Sequence, residues 1–410
     1  MGLLDLDINL TDQQKTLRDE TRRFFMKVWR PASIQLDKLA DPQDVIAKDS
    51  VLWDVFRQYY KLGYHKRNFA EKFGGLGMND PMASILITEE MGYAASDLAI
   101  SLSVTSFPFS MAAMSPNQEL QNLIRQFCDD SEGKFIGCWA ITEPEHGSDW
   151  LYFEGEHLRS SKSIPQLRAR LKGDQYIING QKSAWVSNGT IATHAAVFLG
   201  IEPCVGIENC GVAIVPLNLP GVSRGKPLNK LGQRALNQGE IFFDDVHIPA
   251  DYMLYREPAI YKIVIQNVLT GANANMGVTF AGTARSALDE ALSYAQQRIQ
   301  GGKPIIEHQS VKARLFDMFT QVEAARALAR RVTLYNVQTR MPALQYSIAS
   351  KINATETAFR VASMAVQLFG GFGLSKEFVV EKIFRDARAS MIEDGVNETL
   401  ALEGAEKLRT

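Results

Sequence analysis

The sequence predicts an α+β chain in three parts, with helices first, strands in the middle and helices again at the end. Apolar residues recur at helical spacing before about Lys134 and again after about Ala250. Between them lie short runs of β-branched and aromatic residues, separated by Gly, Asn and Pro. At 410 residues the chain exceeds one ordinary domain, yet no low-complexity linker or internal repeat divides it. We therefore expect segments 1–134, 135–250 and 251–410 to pack as one body.

In the first part, Thr11 followed by Gln14 has the spacing of a capping box, which ties up the free N–H groups of a helix start. Leu17, Phe24, Phe25 and Val28 follow at helical spacing, and Pro31 is expected to break the helix. Gly74, Gly75 and Gly77 form a loop before a second helical run through Ile85–Ala99. In the middle part, Cys138–Thr142, Gln175–Ile178, Ala195–Ile201, Val212–Val215 and Glu240–Phe243 read as strands. Asn179-Gly180 reads as a hairpin turn leading to a strand near Trp185. Short strands without intervening helices suggest a small barrel or sandwich and exclude a parallel Rossmann sheet. In the last part, Val311, Leu315, Phe319, Val322 and Leu328 stripe one helix. Ile348, Ile352 and Phe359 start another, which runs toward Gly370.

The apolar fraction of 46% and charged fraction of 22% are those of a globular protein. A net charge of -2 gives no reason for nucleic-acid binding or attraction to anionic membranes. Cys128, Cys138, Cys204 and Cys210 show no CxxC spacing and read as inert thiols of a reducing compartment. No apolar run reaches the roughly 18 residues of a membrane span. Met1–Asn9 is acidic and unlike a signal or transit peptide, so a cytoplasmic location is expected.

No HExxH, no GxSxG elbow and no metal-ligand spacing occurs, so no metal site is expected. Gly370, Gly371 and Gly373 read equally as a helix C-cap and as a place where backbone approaches a ligand. Thr142-Glu143-Pro144-Glu145-His146-Gly147-Ser148-Asp149 packs hydroxyls and carboxylates into a turn after a strand. Phe384-Arg385-Asp386-Ala387-Arg388 leads into Ile392-Glu393-Asp394-Gly395, which places carboxylates at a helix end. Alone, each reads as well as a solvated turn or terminus.

Together, however, these segments resemble the acyl-CoA dehydrogenase family over essentially the whole chain. Lys72-Phe73-Gly74-Gly75-Leu76-Gly77 is similar to the family's GGxG loop, with Ala70-Glu71 in place of its usual proline-glutamate. Thr142–Asp149 resembles the TEPxxGSD motif. Asn179-Gly180-Gln181-Lys182 with Trp185-Val186-Ser187-Asn188-Gly189 resembles NGxK…W[IV][ST]NG. Asp244–Pro249 looks like the strand leaving the barrel, and Gln367–Gly373 and Phe384–Arg388 resemble QxxGGxG and [YF]RDA.

The resemblance implies an α-helical domain, a β-barrel domain and a C-terminal four-helix bundle that bind FAD, in a homodimer or homotetramer. It implies that Thr142 and Ser187 hydrogen-bond the flavin ring, that Trp185 covers one face, and that Ser148 sits by the pyrophosphate. Arg298 and Gln309 from one subunit, with Gln367 and Gly371 from its partner, would hold the phosphate and adenine end. The implied reaction is α,β-dehydrogenation of an acyl-CoA thioester, with a carboxylate base and hydride transfer to flavin. An electron-transfer flavoprotein would then accept the electrons.

The family's usual base is a glutamate, and the matching position here is Asp394, with Glu393 just before it. Some relatives draw the base from an earlier helix, but no Asp or Glu occurs between Glu257 and Asp289. Asp394 is therefore the expected base, with a reach shorter by about 1.5 Å, one C–C bond. Asn273 stands where many relatives carry arginine, and Gly301 where an aromatic is common. Trp150–Leu171 is long and basic, with His157, Arg159, Lys162, Arg168 and Arg170. It reads as a solvated loop or as a contact for CoA phosphates. Phe107, Pro108 and Phe109 fit either an acyl-pocket wall or core, and favour a compact, branched or cyclic acyl group. Alternative readings on this fold are nitroalkane oxidation, flavin monooxygenation or desulfination, and a non-catalytic FAD-binding assembly.

Overall fold

The computed structural model describes residues 5–155, 163–204, 209–339 and 341–409. Helices α1 (Asp12–Asp37), α2 (Pro42–Val45), α3 (Val51–Lys61), α4 (Pro81–Ala94), α5 (Ser96–Val104), α6 (Phe107–Ala112) and α7 (Gln118–Asp129) come first. The capping box at Thr11 and Gln14 forms as expected. Pro31 does not break α1, which continues through it to Asp37. Phe25, Trp29, Ala32 and Leu36 are buried on both sides of the proline, and Arg30 donates to Tyr93 O at 2.6 Å. That packing outweighs the roughly 3 kcal/mol that an interior proline costs a helix. The helical run Ile85–Ala99 is divided instead at Ala95, whose extended backbone separates α4 from α5.

The middle part is one eight-stranded mixed sheet: β1 (Gly137–Ala140), β2 (Arg168–Lys172), β3 (Gln175–Lys182), β4 (His194–Ile201), β5 (Cys210–Pro216), β6 (Val222–Arg224), β7 (Ile241–Pro249) and β8 (Met253–Tyr255). Strand order is β6-β7-β3-β2-β4-β5-β8, with β1 pairing β4 in parallel. Asn179-Gly180 is not a hairpin turn, because β3 runs straight through it with a bulge against β7. Gly180 has φ 125, and across the irregularity Asn179 Nδ2 donates to Asp245 Oδ1 at 2.8 Å while Asp245 N donates to Asn179 Oδ1 at 2.9 Å. The hairpin lies earlier, at Gly173-Asp174 between the paired Lys172 and Gln175. Gly173, with φ 65, supplies the positive φ that such a tight turn needs.

The last part holds α8 (Pro258–Gln297), α9 (Gln309–Gln338), α10 (Leu344–Phe369), α11 (Val379–Ser390) and α12 (Asn397–Glu406), with a small hairpin of β9 (Ile299–Gln300) and β10 (Lys303–Pro304). One buried cluster draws on four helices, with Phe280 and Ala287 from α8, Met318 and Val322 from α9, Ala358 and Val361 from α10, and Val380 and Ala387 from α11. Alanines dominate the α8–α10 contact, which lets the two backbones come close. Charged groups tie this bundle to the first part. Arg385 forks onto both oxygens of Asp37 at 2.9 and 2.7 Å, and Lys382 donates to Asp97 at 2.8 Å. Among the described residues, no helix is long and apolar enough to cross a membrane.

Candidate active site

The turn between α11 and α12 carries the expected base. Asp394 has φ 50 and Gly395 φ 100, a positive-φ pair that follows the Met391 cap of α11 and redirects the chain toward α12. Asp and Asn are the non-glycine residues that tolerate this conformation best. A Cβ at Gly395 would come within 2.9 Å of Leu400 and Leu151, so that position is glycine for space as well as for φ. Three separate elements grip the turn's backbone. Ser148 Oγ accepts from Val396 N at 2.9 Å, Asn273 Nδ2 donates to Asp394 O at 3.4 Å, and Lys351 Nζ donates to Gly395 O at 2.7 Å. Burial raises the Asp394 carboxyl to about 6, against the lowering pull of the Lys351 ammonium. Burial likewise pushes Glu393 up, opposed by its hydrogen bond from Gln233 and by the charge of Lys230.

Glu143 and Lys182 bring Thr142 and Ser187 into the same region. Both are buried and meet at 2.7 Å, while Lys182 Nζ also donates to Ile141 O at 2.9 Å. This welds the turn after β1 to the end of β3, and Ser183 N donates to Thr142 O at 2.9 Å beside it. Ser187 Oγ accepts from Gln238 Nε2 at 3.2 Å, and Lys230 Nζ donates to Gln238 Oε1 at 2.7 Å. Further along this loop, Gln233 Nε2 donates to Glu393 at 2.8 Å. The loop from Lys230 to Gln238 thus links Ser187 to the base turn. Trp185 lies at its margin with 58% of its surface exposed, unusual for a tryptophan. Nothing in the sequence alone singles out Lys230, Gln233, Gln238 or Lys351 for a role, and Lys182 only weakly. Lys182, a member of the NGxK pattern, is the one that its motif could have flagged.

Arg298, Gln309, Gln367 and Gly371 form a second region. Arg298 caps α8 and its guanidinium lies 5.7 Å from the Phe372 ring centre, next to Gly371. Tyr294 stacks on Phe369 at 3.9 Å and holds the ends of α8 and α10 together. Within one chain, Arg298 and the segment that carries Gly371 therefore lie side by side. Gln309 begins α9 just after His308, whose ring approaches Gly301, and Gln367 is exposed on the last turn of α10. Phe378, which precedes α11, packs on Phe372 and Tyr294, whereas the base turn follows the other end of α11. At 1.5 Å per residue, about 18 Å of helix separates the two regions.

Phe109 is core, fully buried and stacked on Phe127 at 4.1 Å, and Phe107 leans on Trp139. Gly301 and Gly302 both have positive φ, at 62 and 80, and form the two-residue turn between β9 and β10. That turn explains why no aromatic stands at Gly301. Arg168 and Arg170 are exposed on β2, while His157, Arg159 and Lys162 lie outside the described residues.

Three family models match in chain order. They are the acyl-CoA dehydrogenase N-terminal domain over residues 11–130, the middle domain over 138–246 and the C-terminal domain over 263–408. The short-chain specific acyl-CoA dehydrogenase of Megasphaera elsdenii is 30% identical, over 98% of this chain and 100% of its own. The cyclohex-1-ene-1-carbonyl-CoA dehydrogenase of Geobacter metallireducens is 29% identical, over 95% and 96%. The solved butyryl-CoA dehydrogenase of M. elsdenii superposes with a TM-score of 0.85 at 29% identity, over 98% and 100% of the two chains. The fold and site thus define a flavoprotein oxidoreductase. The chain belongs to the acyl-CoA dehydrogenase family, whose members carry FAD.

The residues present fit that cofactor. A Cβ at Gly370 or Gly371 would meet nothing within 4 Å, so bare backbone is open to a ligand there. Arg298 beside it makes no ion pair among the described residues, which leaves its fork available to a phosphate. The half-exposed Trp185 offers a flat apolar face next to Ser187.

Proposed function

We propose that this protein dehydrogenates a compact acyl-CoA thioester across its α,β bond, with Asp394 as the α-proton base. The observation that carries the reading is the Asp394 turn itself. It is gripped through Ser148, Asn273 and Lys351, and its carboxyl is raised to about 6 by burial. A base poised near neutrality can take a proton and later release it. FAD, when bound, supplies the acceptor for the β-hydride. Thr142 and Ser187 are suited to hydrogen-bond the flavin ring and Trp185 to cover it, while Ser148 stands between that region and the base turn. The Asp394 backbone N–H is suited to donate to the thioester oxygen as negative charge develops there.

Arg298, Gln309, Gln367 and Gly371 would take the phosphate and adenine end as one cluster. That cluster lies about 18 Å along α11 from the base turn. We infer that each FAD lies between two copies of the chain, one giving the ring site and the other the phosphate site. A homodimer or homotetramer follows from this, and an electron-transfer flavoprotein is the inferred acceptor. The short reach of Asp394 and the butyryl-CoA and cyclohex-1-ene-1-carbonyl-CoA dehydrogenases among its relatives favour a short or cyclic acyl group.

An acyl-CoA panel added anaerobically to the holoenzyme tests the reading by bleaching of the flavin. Short or cyclic thioesters should bleach it and yield the enoyl product. The aspartate at the base position also suits nitroalkane oxidation. Bleaching by nitroethane and by no thioester would establish that second reading instead.

A further inference from the structure

The turn that carries Asp394 is braced by a cation whose charge the scheme above leaves without a role. Lys351, on α10, is fully buried, yet among the described residues no carboxylate reaches ion-pair distance of it. Its Nζ donates instead to Gly395 O at 2.7 Å and to Asn397 Oδ1 at 2.7 Å. Asn397 Nδ2 in turn donates to Thr355 Oγ1 at 3.2 Å, and Thr355 Oγ1 donates to Lys351 O at 2.8 Å. The hydrogen bonds close a ring through α10, the base turn and the start of α12.

A buried ammonium is costly to desolvate, and holding two neutral oxygens does not require a full charge. Burial lowers Lys351 to about 8, opposed by the charges of Asp394, Glu393, Glu398 and Glu356. Seen from the other side, Lys351 is the counterweight to the desolvation of Asp394. On α8 the neighbour is the uncharged Asn273, and after β1 it is Ser148. Glu393 shares the turn, with Lys230 acting on it.

We propose that Lys351 is a positioning residue for the base: its ammonium pins Gly395 and Asn397, and its charge keeps the Asp394 carboxylate ionised at working pH. This rests on the reading of Asp394 as the base. The base must be ionised to accept a proton, so flavin reduction falls as pH drops through an acid limb set by Asp394. Removing a nearby cation destabilises the carboxylate and moves that limb upward, by roughly one pH unit.

The test is the pH profile of anaerobic flavin reduction by an acyl-CoA in parent, Lys351→Met, Asn397→Asp and Asp394→Asn holoenzymes, with FAD content read from absorbance. Lys351→Met removes the charge. Asn397→Asp sets a carboxylate against it within a near-identical shape, and serves if the first variant does not fold. Both should keep FAD and shift the limb upward, while Asp394→Asn should not reduce at all. An unshifted limb in Asn397→Asp or in folded Lys351→Met, with Asp394→Asn inactive, overturns the inference and leaves the base assignment standing. Reduction by Asp394→Asn at the parent rate overturns the base assignment itself.

Discussion

At the scale of single residues, the proposed chemistry turns on Asp394, one methylene shorter than the glutamate usual in the family. Asp394 sits at φ 50, where aspartate is better tolerated than glutamate, so the conformation and the shortened reach go together. Asp394→Glu should lengthen the reach and strain the turn. A displacement near 1 Å costs on the order of 100-fold, so flavin reduction by the best thioester should slow by about that factor. A variant as fast as the parent would contradict a site shaped around aspartate. The sign of the pH dependence is fixed too. With the carboxyl raised to about 6, reduction in the parent should rise with pH through that value and then level off. A rate independent of pH between 5 and 8 would speak against a carboxylate base. Little of this was legible in the sequence beyond the position of Asp394. Lys351, Asn273 and Ser148 meet at the turn only through tertiary packing, from elements 43 to 246 residues away in the chain by their numbers. No local pattern records such a meeting.

Elements were more legible where one periodicity ruled. The capping box, the α10 helix ending at Gly370 and the strands β4 and β5 all follow from spacing and composition. Pro31 and Asn179-Gly180 misled because tertiary packing and cross-strand pairing override local signals there. Two contacts between elements give sharp expectations. A Cβ at Gly92 would lie 1.9 Å from Thr279 O, and one at Gly282 would lie 2.1 Å from Glu89 O. Since α4 and α8 touch backbone to backbone, Gly92→Ala should force them apart and lower the melting temperature, and an unchanged melting curve would refute the contact. Lys182→Met leaves the Glu143 carboxylate buried without its cation, at a cost of about 3–5 kcal/mol. Chemical denaturation measures it, and FAD content should fall with it as Thr142 and Ser187 lose their frame.

Across the whole molecule, charged groups knit the parts together. Burial pushes the Glu89 carboxyl up, but the guanidinium groups of Arg326, Arg330 and Arg285 outweigh it and hold it at about 2. Because its folded value is depressed, this contact is fully stabilising above the ordinary carboxylate range. That contribution is lost as pH falls toward about 2. Glu89→Gln should therefore be less stable at neutral pH, and the gap should close on acidification; a gap that widens would contradict the network. The inferred sharing of FAD between copies has its own signature. Arg298→Ala and Asp394→Asn, each inactive alone, should regain activity when co-assembled, because one copy keeps Asp394 and its partner keeps Arg298. No regain in mixed oligomers would place both regions around an FAD within one chain. The most direct measurement for the account remains anaerobic titration of parent and Asp394→Asn with short and cyclic acyl-CoA thioesters, with the products identified by mass spectrometry. Bleaching and an enoyl-CoA are expected from the parent, and from the FAD-loaded variant neither. Bleaching of the variant at the parent rate would contradict Asp394 as the base.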